Sequence, residues 1–99
     1  MQYDVLNIIY HVRVRAVITS QQIRAARALL HLSQSELAGL AKLSLPTIQR
    51  MEASRKPLSD ARRSARLLVR ALANAGVEIL NEPEVVCPQG QGRGVRLIR

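Results

Sequence analysis

Three hydrophobic rhythms divide the chain. Residues His11 to Val17 alternate apolar and polar side chains with a period of two and are rich in β-branched residues, which predicts a strand. Upstream of it, Asp4 to Tyr10 fits either a strand or a short helix, and the lead-in 1–18 reads as an extension that packs or makes a dimer contact. From Thr19 the spacing changes to three and four. Thr19 or Ser20 caps a helix whose apolar face is Ile23, Ala26 and Leu30. Ser33-Gln34-Ser35-Glu36 is a capping box that opens a second short helix through Leu37 and Leu40. Lys42-Leu43 breaks that helix, and Ser44 caps a third, residues 45–52. Pro46 is tolerated there because it lies in the first turn, where N–H groups have no intrahelical partners.

A basic loop, residues 53–57, follows. Ser59 is then expected to cap a long helix running to about Ala75, with Gly76 as its stop. Ala61, Ala65, Leu68, Leu72 and Ala75 share its apolar stripe, and Arg62, Arg63, Arg66 and Arg70 lie opposite. The last rhythm is again strand-like. Val77 to Leu80 and Val95 to Ile98 form a hairpin around a long loop through Pro83, Pro88, Gly90, Gly92 and Gly94. The expected fold class is mainly α, with a helical domain over 19–76, an N-terminal strand extension over 1–18 and a C-terminal β-hairpin over 77–99 that is a possible dimer contact.

Composition narrows the partners. Ninety-nine residues suit one small domain, which buries only part of its surface, so dimerisation is expected. The core must be aliphatic, since Tyr3 and Tyr10 are the only aromatic residues. Fifteen Lys and Arg against seven Asp and Glu give a net charge of +8 and a pI near 11.3, which draws the chain to polyanions. Readers of single strands and loops stack bases on aromatic platforms, and two such residues suit that task poorly. Duplex phosphates are the better match. Residues 50–70 alone hold seven basic and two acidic residues, net +5, which places most of the excess charge in one stretch.

One pair of charges is informative in itself. Arg27 shares the apolar stripe of the first helix with Ile23 and Leu30, and Glu52 shares that of the third with Ile48 and Met51. A lone buried charge costs several kcal/mol, so each residue is the other's best partner, and the pair would fix how the third helix is aimed. Otherwise both side chains snorkel to the edge.

Gln22 to Pro57 resembles the helix-turn-helix DNA-binding domains of phage repressors and Cro, the xenobiotic-response-element type. The resemblance runs through Ile23-Arg24, Leu32-Ser33-Gln34, Glu36-Leu37-Ala38, Thr47-Ile48, Arg50, Glu52 and Pro57. It covers about a third of the chain tightly and 19–80 loosely. It implies a repressor-like helix-turn-helix domain in which the third helix enters the major groove. Leu45, Pro46, Thr47, Gln49 and Arg50 then face the bases. Gln34, Ser44, Ser54, Arg55 and Lys56 contact phosphates, and Arg27 and Glu52 are the structural ion pair. Lys42 and Ser54 stand where the family usually has Gly, and Lys42 costs about 1–2 kcal/mol if held left-handed. Leu45 and Pro46 replace side chains that often hydrogen-bond base edges, so direct readout leans on Arg50, Gln49 and Thr47, with apolar contact to thymine methyls beside them.

Other chemistry is not expected. His11, His31 and Cys87 lack metal-ligand spacing, and Cys87, the only cysteine, excludes an intrachain disulfide. Gly90, Gly92 and Gly94 precede a strand and so do not form a phosphate-cradling loop. No nucleophile–base–acid set is evident, so the chain is not expected to be an enzyme, and no cofactor is implied. No stretch suits a membrane span and no leader pattern opens the sequence, which predicts a cytoplasmic, nucleoid-associated location. The expected function is a transcriptional regulator that binds double-stranded DNA as a homodimer on a pseudo-palindromic operator. Two rivals are an antitoxin that binds a protein toxin through 1–18 or 77–99, and a co-activator that contacts RNA polymerase or another regulator.

Overall fold

A computed structural model describes residues 16–59, 62–87 and 90–98. The segment 4–10, the strand residues 11–15, Ala61 and Pro88 lie outside them. In chain order the elements are β1 (Ala16–Ile18), α1 (Ser20–Leu30), α2 (Gln34–Ala41), α3 (Leu45–Glu52), β2 (Leu58–Ser59), α4 (Arg63–Asn74), β3 (Val77–Cys87) and β4 (Gly90–Leu97). The fold is mainly helical, with short antiparallel strand pairs, β1 with β2 and β3 with β4, flanking the helices.

Local chemistry sets the first three helices. Thr19 is the N-cap of α1: its hydroxyl accepts from the Gln22 N–H (3.1 Å) while its own N–H donates to Gln22 Oε1 (2.9 Å). Ser33 and Glu36 form the same reciprocal box at α2. The carboxyl of Glu36 is held below its ordinary value by hydrogen bonds from the Ser33 N–H and hydroxyl. Ser44 caps α3 by accepting from the Thr47 N–H, with Pro46 in the first turn. Both intervening turns are left-handed at a residue with a side chain, His31 (φ 57°) and Lys42 (φ 57°). The strained turn expected at Lys42 is therefore present, and His31 adds a second.

The core is aliphatic. Ile18, Ile23, Leu37, Ile48, Leu68, Leu72 and Val77 are fully buried, with Ala26, Ala65, Met51 and Leu58 between them. Each large side chain here stabilises the fold by roughly 1.5–3 kcal/mol. Helix α3 packs on α1 and α2, α4 packs on α2, and the hairpin lies across α1, α4 and β1.

Two expectations are corrected. Ser59 does not cap α4: it lies in β2 opposite Ala16, and α4 begins four residues later behind Arg62, with no side-chain cap. The cause is Leu58, which is buried as the strand partner of Ile18 and holds this stretch extended. The hairpin loop is also much shorter than expected, since β3 runs to Cys87 and β4 starts at Gly90. Pairing continues past Pro83 because the register is irregular between Leu80 and Val85. Residues 81–84 there face Arg93 alone, which gives a residue lacking an N–H donor a place outside the regular ladder. Gly76 ends α4 as expected. Its φ is +100°, its carbonyl accepts from the Ile98 N–H (2.6 Å), and a Cβ would meet Ile98 O at 3.3 Å. No described helix is long and apolar enough to cross a membrane.

Candidate nucleic-acid interface

The outer face of α3 is set by what its inner face buries. Ile48, Met51 and Glu52 point inward, which leaves Pro46, Gln49 and Arg50 exposed and Leu45 and Thr47 half-buried. The five residues expected to face bases thus belong to one short helix, where Pro46, Gln49 and Arg50 form the exposed face and Leu45 and Thr47 flank it.

Arg50 is not loose on that face. Its Nη2 donates to Thr47 Oγ1 (3.3 Å), and the Thr47 hydroxyl lies 2.8 Å from Ser44 Oγ, which also accepts from the Thr47 N–H. Ser44, Thr47 and Arg50 form a rail along the helix edge that holds the guanidinium toward the N-terminal end. Thr47 therefore spends its hydroxyl on positioning the Arg50 guanidinium.

The inner face is anchored by the pair anticipated from sequence. Arg27 Nε donates to Glu52 Oε2 (2.7 Å) and Nη2 to Oε1 (3.0 Å), a bidentate contact, while Nη1 donates to the Leu32 carbonyl (3.1 Å). The Glu52 side chain is 5% exposed and that of Arg27 23%. Neither snorkels free. Burial pushes the Glu52 carboxyl up, but hydrogen bonds from Arg27 and Gln34 and the charges of Arg27 and Arg24 outweigh it and hold it below its ordinary value. The hydrogen bond to Glu52 raises Arg27 further, against burial.

Two contacts were not anticipated. Gln34, expected on a phosphate, turns its Nε2 inward to Glu52 Oε1 (3.1 Å), so its side chain serves the ion pair. Arg24 Nη1 donates to the Glu52 carbonyl (2.7 Å), placing a cation at the negative end of α3. The cue was the residue's i−3 spacing from Arg27, on the same helix.

In the loop after α3, Ser54 Oγ donates to the Lys56 carbonyl (2.8 Å) and accepts from the Lys56 N–H (3.3 Å). Ser54 thus shapes the turn, and it presents Arg55 and Lys56, both exposed and without a side-chain partner among the described residues. Among the described residues no three His, Cys, Asp or Glu side chains gather as metal ligands do.

The chain matches no protein-family model and no curated protein sequence.

Proposed function

We propose that this protein is a sequence-specific regulator of transcription that binds duplex DNA as a homodimer, with α3 in the major groove. The observation that carries the reading is the α3 face itself. It is a short, rigidly backed helix with an oriented arginine, an exposed amide and an apolar tip, followed at once by a loop of uncommitted cations. Arg50 would pair with guanine O6 and N7, Gln49 with an adjacent base edge, and Leu45 and Pro46 with thymine methyls beside Thr47. Arg55 and Lys56 would grip phosphates, which adds affinity without sequence information.

Pairing of two copies supplies what one small module lacks. A single module buries roughly 600–1,000 Å² on DNA, too little for tight specificity. A depression of about 400 Å³ between α4 and the hairpin, lined mainly by Val17, Val69, Ala73, Val77, Ile79 and Ile98 with Glu78 and Asn81 beside them, offers a largely apolar face for the second copy. The two recognition helices would then lie about 34 Å apart, one turn of DNA.

Selection from random duplexes with the full-length chain tests this. The expected outcome is enrichment of a two-fold related site with half-sites centred about one helical turn apart. An affinity ratio near one between selected and random duplexes would contradict it.

A further inference from the structure

A second surface lies away from the α3 face, between α2 and α4. Leu40 on α2 is 49% exposed, and it borders an open groove of about 320 Å³ whose other sides include Leu67, Lys42, Arg63, Arg70 and Asn74. An exposed leucine alone carries no meaning. Here it continues an apolar floor formed with Leu67 and rimmed by three cations. The side chains of Lys42, Arg63 and Arg70 have no ion-pair or hydrogen-bond partner among the described residues. Helix α4 also begins with no acidic residue in its first turn and no side-chain cap, so its positive end adds to the field over the groove.

We propose that this groove docks an acidic amphipathic helix of a partner protein. Arg63 and Arg70 are seven residues apart on α4, two turns or about 10 Å, so a partner helix carrying two carboxylates seven residues apart matches them in register. One apolar side chain between those carboxylates fills the space between Leu40 and Leu67, and this is helix-in-groove recognition with charges at its rim. The apolar floor is what favours a peptide over a nucleic-acid backbone, since phosphates would gain nothing from Leu40 or Leu67. Arginine suits the carboxylates because its planar fork donates to both of their oxygens at once. None of these residues belongs to the α3 face, so the partner and the DNA need not compete.

The probe is a fluorescein-labelled, alanine-rich helical peptide of roughly 17 residues, long enough to hold helix. It carries two Glu seven residues apart and one Leu four residues after the first, and its anisotropy is titrated with the full-length protein at low salt. Saturable binding is expected. Arg63→Gln with Arg70→Gln should weaken it by roughly tenfold or more, and Leu40→Ser by roughly fivefold. Changing both peptide Glu to Gln should abolish it. Far-UV circular dichroism verifies that the variants keep the native helix content, and binding to a random duplex is measured in parallel. Failure of the probe to bind, or binding indifferent to Leu40→Ser, overturns the proposal. So does loss of duplex binding without loss of probe binding in the Arg63/Arg70 variant, which would make the groove a phosphate contact. None of these outcomes depends on whether α3 selects a DNA sequence.

Discussion

Two polar clusters hold the two ends of α1, Gln22 in one and Arg27 in the other, and they are built from different chemistry. Beneath α3, Arg27, Glu52 and Gln34 form a charged cluster. Where the hairpin meets α1, Gln22 and Asn81, 4% and 7% exposed, form one built from amides, with a single arginine at its edge. Gln22 Nε2 donates to the Leu80 and Gly94 carbonyls (3.0 and 3.1 Å) and to Asn81 Oδ1 (3.2 Å), and Asn81 Nδ2 donates to the Val17 carbonyl (3.0 Å). Arg93 Nη1 closes the set on Asn81 Oδ1 (2.7 Å). The amides join three chain segments through the part-buried carbonyls of Val17, Leu80 and Gly94. The ion pair joins helices through a bidentate contact that fixes orientation. One cluster attaches an element; the other aims one.

Breaking each cluster should expose that difference. The largest effect is expected for Glu52→Ala, which leaves the part-buried Arg27 guanidinium without its carboxylate and should lower stability to urea by about 3 kcal/mol. Gln22→Ala removes the donor to two part-buried carbonyls and half of a capping box, a loss of about 2 kcal/mol. Acid separates the two. The Glu52 carboxyl binds its proton less readily folded than unfolded. Its contribution is therefore complete above the unfolded value near 4.5 and is lost as pH falls through the lower folded value. Urea midpoints should fall with pH in that range for the parent and for Gln22→Ala, and fall less steeply for Glu52→Gln. Equal slopes in all three would mean that the pair is not coupled to folding. The smallest effect concerns the turn that sets α2 against α3. Lys42→Gly relieves a left-handed side chain and should raise stability by about 0.5–1 kcal/mol; an unchanged thermal midpoint would remove the strain from this account.

What was legible in the sequence follows the same division. Thr19, Ser33 and Ser44 could be read as caps because a cap needs only its partner three residues away. Arg27 and Glu52 could be paired because a charge on an apolar stripe requires a counter-charge, and each stripe held one. Gln22 gave no such signal. Its amide is spent on carbonyls 58 and 72 residues away, which no local pattern encodes. Ser59 misled for the same reason: a good cap residue was overridden by burial of Leu58 beside Ile18, a contact across forty residues. Gln34 was legible as polar and N-terminal, yet its acceptor, the carboxylate of Glu52, became visible only once α2 and α3 were packed together.

The direct test of the central claim compares two cations on the same surface. With a duplex obtained by selection and its single-base variants, Arg50→Ala should lose discrimination at one base pair of each half-site, roughly 1–3 kcal/mol, while the other positions keep theirs. Lys56→Ala should weaken every sequence alike and flatten the dependence of log affinity on log salt by about 0.9 per monomer. Uniform loss across all sequences for Arg50→Ala would contradict the assignment of α3 as the reading element.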